Sequence, residues 1–358
     1  MSADIEHLIT DTVRLWKADV TIAAIQPLTP DASLRRYFRV RLNNTAPNQN
    51  TIIAMIFDSV VPPEVGKGRV VNSDESYISL SQFFKTNGVA VPLLYFDGRE
   101  RSILLIEDLG DCLLGTMIVG ESSALFSAQE RERVYRAAID ELIRIQRIPA
   151  VNDFFPFQRR FDQALYLKEM EEFTEFFLPQ FSPNTSQLSE CRQLFARLAT
   201  EVEGLPYALA HRDFHSWNLM LDPRQTVRVI DFQDALMAPR VYDLAALLND
   251  RDTDIALGES LAKKLRVYFA ESSQYGPSFE VDYHRALLQR DLKVVGRFAK
   301  LVSLRGLTGY GQWIPGTYRR VRRGVEFLIK ASAAPEYQKF SDCLDQLVPA
   351  DHFGGSTK

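Results

Sequence analysis

The chain has little of what would tie it to a bilayer, a disulfide framework or a polyanion. Only three of its 358 residues are cysteine (Cys112, Cys191, Cys343), an odd number at wide spacing. That pattern fits neither paired disulfides nor a zinc site, and buried thiols in a reducing compartment are expected. No run approaches the roughly 18 to 20 apolar residues that span a bilayer. Met1–Glu6 carries Asp4 and Glu6 rather than a basic stretch before an apolar core. A cytoplasmic protein with no membrane partner is the expectation. Lys and Arg number 42 against 46 Asp and Glu, a net charge of -4, so overall charge gives no reason to expect nucleic acid as a partner. Repeats and low-complexity segments are absent; only the tail after Asp351 reads as frayed. What is present is ordinary globular composition, 46% hydrophobic and 25% charged. At ~150 residues per domain, the length suggests two units.

Residues 4–19 have helical apolar spacing, with Leu8, Val13, Leu15 and Trp16. The period then shortens: 25–28, 37–42 and 51–57 read as strands, with a polar turn over 43–50. Residues 74–86 return to helical spacing (Tyr77, Leu80, Phe83, Phe84) and stop at Asn87-Gly88. Strands follow at 93–96 and 102–107, and Asp108-Leu109-Gly110 breaks the run. Beyond it the patterns are long and helical (121–148, 161–178, 186–203 and 240–330), interrupted by a β-rich stretch between 205 and 235. The expected architecture is therefore α+β in two lobes. Residues 1–108 form a small antiparallel-sheet lobe, and 109–350 a larger, mainly helical one.

The most informative segment is His211-Arg212-Asp213-Phe214-His215-Ser216-Trp217-Asn218, followed by Asp231 in Val229-Ile230-Asp231-Phe232. Phosphoryl transfer needs one carboxylate to orient the attacking hydroxyl and accept its proton. It also needs an amide oxygen and a second carboxylate to hold magnesium on the nucleotide phosphates. Asp213 supplies the base, and Asn218 and Asp231 the metal ligands. Singly, a loop Asp or Asn is more often a turn former or helix cap; the conjunction is what carries the reading. His215 reads as a loop organiser rather than a catalyst.

The segment resembles the catalytic motif of the aminoglycoside phosphotransferase and choline kinase superfamily, which shares the two-lobed protein-kinase-like fold. The resemblance implies ATP and Mg²⁺ as cofactors. It places the base on Asp213, the metal ligands on Asn218 and Asp231, and a loop-bracing role on Asp243 in Tyr242-Asp243-Leu244-Ala245. It also puts the nucleotide base against the hinge Leu104–Leu109, with backbone groups of Glu107 and Leu109 as adenine contacts. The side chains of Glu107 and Asp108 read as solvated.

The small lobe departs from the usual kinase pattern. Its third strand, Ile52-Ile53-Ala54-Met55-Ile56-Phe57, has no lysine, and no glycine-rich loop precedes the second strand. Asp31-Ala32-Ser33-Leu34-Arg35-Arg36-Tyr37-Phe38-Arg39 stands there instead. Ser33, Arg35 and Arg36 are the candidate phosphate contacts, and strand alternation lets only one of the two arginines face the nucleotide. Glu75 is a candidate partner for that arginine.

Together with Leu105–Asp111 and Ile230–Ala235, these features resemble the bacterial cell-wall-recycling kinases that phosphorylate the anomeric hydroxyl of N-acetylmuramate and N-acetylglucosamine. The resemblance covers most of residues 25–330. It implies a small-molecule sugar substrate; a monomer is expected. Two alternatives stay open: a kinase of the same superfamily acting on an amino alcohol or aminoglycoside, and a catalytically inactive nucleotide-binding scaffold. One observation bears on the substrate. Residues 284–330 hold eleven Lys and Arg against only Asp291 and Glu326, an excess of nine. Such a lobe suits an anionic substrate, although charge runs on late helices are often solvated faces. Tyr310 and Trp313, in a glycine-rich stretch, are candidates for stacking on a sugar ring, with packing the more common use of such aromatics.

Overall fold

The computed structural model describes residues 2–28, 35–43, 50–57, 73–119, 126–349 and 352–353. Ser33 and its turn, most of the polar turn over 43–50, the start of the helix expected from 121, and most of the tail after Asp351 lie outside the described residues. Along the chain the helices are α1 (Ala3–Trp16), α2 (Ser73–Thr86), α3 (Ala128–Gln146), α4 (Phe155–Gln158), α5 (Gln163–Glu172), α6 (Thr185–Glu203), α7 (Tyr242–Asn249), α8 (Thr253–Ser272), α9 (Phe279–Arg305), α10 (Ile314–Ala331) and α11 (Pro335–Leu347). The strands are β1 (Thr21–Leu28), β2 (Arg35–Asn43), β3 (Thr51–Phe57), β4 (Leu94–Gly98), β5 (Ile103–Glu107), β6 (Tyr207–Ala210), β7 (Leu219–Leu221), β8 (Val227–Val229) and β9 (Leu236–Pro239). Among the described residues, no helix is long and apolar enough to cross a membrane.

Two compact units emerge. The first holds α1 to β5, continues to Leu114, and takes back Trp217–Asp234. The division expected at 108/109 is thus drawn differently, because the β7–β8 hairpin bonds to backbone of the first unit. Val229 N–H donates to Ala90 O (2.8 Å) and Leu221 N–H to Cys112 O (2.8 Å). The sheet is antiparallel in the order β1-β2-β3-β5-β4. β3 is its centre, buried on both faces from Ile52 to Phe57, which is why its sequence is an unbroken apolar run. Along β2 the side chains alternate. Phe38, Val40 and Leu42 join Ile9 and Val13 of α1 in the core, which leaves Arg35, Tyr37 and Arg39 on the other face.

The second unit is mainly helical, with a short β6–β9 ladder that begins at Tyr207↔Pro239. Capping boxes open α3 (Ser127 with Glu130) and α6 (Asn184 with Gln187). The 27-residue α9 is its central helix; fifteen of its residues are buried. α5 runs directly into a π-turn, Phe173–Phe177. There Gly296 of α9 meets it backbone to backbone: a Cβ at 296 would lie 2.3 Å from Glu172 C and 2.4 Å from Phe173 N. Only glycine permits that approach.

Candidate active site

In the second unit, β6 runs into the loop His211–Ser216. Arg212 sits at φ 80, a conformation costly for a residue with a Cβ. Asp243, fully buried on α7, holds that turn: its carboxylate accepts from His211 N–H (2.6 Å) and Arg212 N–H (2.9 Å). Burial pushes the Asp243 carboxyl up to about 6, against the pull of His211 and the two amides. The bracing expected of Asp243 is what the hydrogen bonds describe.

Asp213 is half-buried just beyond this turn. Burial alone would favour its neutral form. Lys293, His215, Arg212 and His211 outweigh it and hold the carboxyl well below the ordinary range. The guanidinium of Arg212 pairs with Glu169 (3.3 Å), and the ammonium of Lys293 pairs with the same carboxylate (3.0 Å). His215 organises the loop through its backbone, N–H to Asp213 O (2.9 Å). Its ring Nδ1 is buried and makes no hydrogen bond among the described residues.

Asn218 and Asp231 lie in the first unit, at the two open ends of the β7–β8 hairpin, where Ile230 N–H donates to Asn218 O (3.1 Å). Asp231 has φ 63, the second strained non-glycine residue of the motif. Beside it, Phe232 is buried against Tyr77 (ring centroids 4.9 Å) and Phe84 (5.6 Å) of α2. Arg35 Nη1 lies 3.3 Å from Asp231 Oδ1, and Gln233 Nε2 donates to the same oxygen (3.0 Å). Burial works against the Arg35 charge, but Tyr37, Asp231 and Asp234 more than compensate. Arg35, not Arg36, is therefore the arginine on the Asp231 side. Glu75 is exposed at the start of α2. The amide of Asn218 and carboxylate of Asp231 are hard oxygen donors, the type and number of protein ligands a magnesium ion takes when phosphates and water complete its shell. Among the described residues there is no denser group of metal-ligating side chains.

The segment after β5 corrects one expectation: the side chains of Glu107 and Asp108 are not solvated. Arg39 forks onto Asp108 (Nε–Oδ2 2.7 Å, Nη2–Oδ1 3.0 Å) and also donates to Gly110 O (3.0 Å) and Asp111 (3.0 Å). Glu107 accepts from Arg228 (2.6 Å) and from Leu93 N–H (3.0 Å). Arg228 further reaches Val91 O (2.8 Å) and Asp222 (3.2 Å). One guanidinium thus ties β8 to the strands that lead into Leu109. The buried Leu109 amide donates to no acceptor among the described residues. Arg39 and Arg228 were missed in the sequence. Arg39 could have been found by counting alternate positions from Arg35, whereas the partner of Arg228 lies 121 residues away.

The basic run of residues 284–330 is largely neutralised. Arg285 meets Glu201 and Asp282, Arg290 meets Asp250, Arg320 meets Asp254 and Asp291, and Arg322 meets Asp345. Arg323 also pairs with Asp254. Tyr310 and Trp313 pack on each other (5.5 Å) and on Phe298 (5.5 and 5.8 Å). Packing rather than an open stacking platform is their observed use.

Two kinds of similarity bear on this arrangement. The chain is 27% identical over 342 residues to an N-acetylmuramate/N-acetylglucosamine kinase of Pseudomonas aeruginosa, covering 92% of this chain and 90% of the relative. A protein of the same name from Neisseria meningitidis serogroup B is 28% identical over 85% of each chain. Among solved structures, the ADP-bound aminoglycoside phosphotransferase APH(2'')-Ib superposes with a TM-score of 0.61 at 13% identity, over 89% of this chain and 98% of that one. The choline kinase LicA of Streptococcus pneumoniae superposes at 0.58 and 15%, over 92% and 100%. These neighbours share the two-lobed protein-kinase-like fold. A model of the phosphotransferase enzyme family matches residues 25–277, and the chain belongs to that family: it is a kinase that phosphorylates a hydroxyl group.

Proposed function

We propose that the protein transfers phosphate from ATP, with Mg²⁺, to the anomeric hydroxyl of N-acetylmuramate and N-acetylglucosamine, with Asp213 as the base. The observation that carries the catalytic part is the braced, strained turn that presents an ionised Asp213. The names of its relatives, at 24–28% identity, support the choice of sugar.

Asp213 orients the anomeric hydroxyl and takes its proton as the oxygen attacks the terminal phosphorus. Its depressed pKa makes it a weak base, which suits a reaction in which positioning matters more than deprotonation. An anomeric hydroxyl is also more acidic than an ordinary alcohol. Asn218 and Asp231 would hold magnesium, which when bound neutralises charge developing on the phosphates. Arg35 stands where it can exchange its contact with Asp231 for a phosphate oxygen, supplying from β2 the charge that the lysine-free β3 lacks. Arg36 and Ser33 are second candidates for that contact. The adenine meets backbone of Glu107 and Leu109, whose segment Arg39 and Arg228 hold in place. The phosphate passes directly to the sugar, with no covalent enzyme intermediate.

The test is incubation with ATP, Mg²⁺ and a panel of amino sugars, amino alcohols and aminoglycosides, read by phosphorus NMR. Coupling between phosphorus and the anomeric proton is the expected signature. Asp213→Asn and Asp231→Asn should each lose turnover by about 10²-fold or more while remaining folded by circular dichroism. Phosphorylation of choline or an aminoglycoside in preference to either sugar would overturn the assignment, and full activity in a variant would remove that residue's role.

A further inference from the structure

One group of cations in the basic run shares two carboxylates of a single neighbouring helix. Lys293, Arg297 and Lys300 follow one another at i, i+4 and i+7 on α9 and so share a face. Opposite them on α5 stand Glu169 and Glu172: Lys293 reaches Glu169 (3.0 Å), while Arg297 (2.6 Å) and Lys300 (3.0 Å) both reach Glu172. The row begins beside the catalytic loop, since Lys293 shares the Glu169 carboxylate with Arg212, the residue before Asp213; Lys293 is also the foremost cation acting on Asp213. From there it opens outward: side-chain exposure rises from 14% at Lys293 to 46% at Arg297 and 39% at Lys300. Arg297 spends only Nε on Glu172, and its two terminal nitrogens have no acceptor among the described residues.

A solvated helix face would need none of this arrangement. Here the opposing carboxylate is fixed by the backbone crossing at Gly296 and the start of the π-turn, a feature that recurs at functional sites. One helical turn separates Lys293 from Arg297, about 6 Å along the axis, comparable to the width of one sugar ring. We infer that Arg297, assisted by Lys300, recognises an anionic substituent on the acceptor whose hydroxyl faces Asp213. This rests on the sugar-kinase reading above. It adds that the carboxylate of the lactyl ether on N-acetylmuramate is bound, whereas N-acetylglucosamine has nothing to offer these cations. A planar guanidinium fork matches a carboxylate, so the arginine carries more of the effect than the lysine.

The experiment compares kcat/KM for N-acetylmuramate and N-acetylglucosamine within single preparations, so that the ratio is independent of the fraction folded. Arg297→Gln should lower the muramate-to-glucosamine ratio about tenfold, chiefly through KM for the muramate. Arg297→Lys should recover part of the loss, and Lys300→Gln should lower the ratio less. The methyl ester of N-acetylmuramate, lacking the charge, should lose the wild-type advantage without any mutation. A ratio that stays within about twofold of wild type in Arg297→Gln, or an ester used as well as the acid, overturns the inference and leaves the sugar-kinase reading standing. A wild-type protein that phosphorylates neither sugar overturns both.

Discussion

Two aspartates separated by thirty positions are driven in opposite directions by their surroundings. Asp213 lies among Lys293, His215, Arg212 and His211 and stays ionised far into acid, so its contribution to stability is present above the unfolded value of 3.8 and is lost only on further acidification. Asp243 is buried and raised from 3.8 to about 6. Its carboxylate therefore costs the fold stability above pH 6, and that cost fades as the pH falls toward 4. Buried Asp291 behaves likewise, while His284, held below 6.5 by burial, works in the other direction. For turnover the consequence is specific. Protonation of Asp243 weakens its hold on the amides of His211 and Arg212 before Asp213 is touched. The kcat profile should show an acid limb with its midpoint near pH 6, without unfolding by circular dichroism. A limb near 4 would assign it to another group. At this scale the spacing within one stretch of sequence singled out Asp213, Asn218, Asp231 and Asp243, and the loop-bracing expected of Asp243 is what the hydrogen bonds describe. Arg39, Arg228 and Lys293 were not legible, because each acts on a residue at least 69 positions away or on a loop the sequence cannot place beside it.

At the scale of elements, alternation along β2 puts Arg35 and Arg36 on opposite faces, and the uninterrupted apolar run of β3 marked a central strand before its neighbours were known. The short β9 and the terminal α11 went unread. The first is four residues long, and its partner β6 is distant in sequence. The second does carry apolar residues at helical spacing (Tyr337, Phe340, Leu344, Leu347), all buried, and was legible in principle. The β7–β8 hairpin was expected with the helical lobe and groups with the sheet instead, because its edge amides and Arg228 find their acceptors there. Arg228→Met tests how much that attachment matters. It strands the largely buried carboxylates of Glu107 and Asp222, so a loss of about 3 kcal/mol in unfolding stability is expected by urea titration. KM for ATP should rise with it. Unchanged nucleotide affinity would show that the hairpin keeps its position through backbone bonds alone.

For the whole molecule, charge read along the chain misleads. Much of the excess of nine over residues 284–330 is met by acids from outside the run, as with Arg290 on Asp250 and Arg323 on Asp254. The sequence could show the run but not its partners. The proposed roles give a test, since Asn218, Asp231, Arg35 and Leu109 belong to one unit, and Asp213 and Asp243 to the other. Mg²⁺ with a non-hydrolysable ATP analogue at about 100 times Kd should stabilise the wild type by about 3 kcal/mol, seen as a rise in Tm. Asp231→Asn should lose most of that rise, and Asp213→Asn should keep it although both are inactive. Equal loss in both would show that nucleotide binding draws on both units. Finally, the contact at Gly296 leaves α9 no room to slide or rotate against α5. A descendant of this protein that came to prefer a different acceptor would have to exchange the residues at 293, 297 and 300, because the scaffold beneath them is pinned at a point where even a methyl group does not fit.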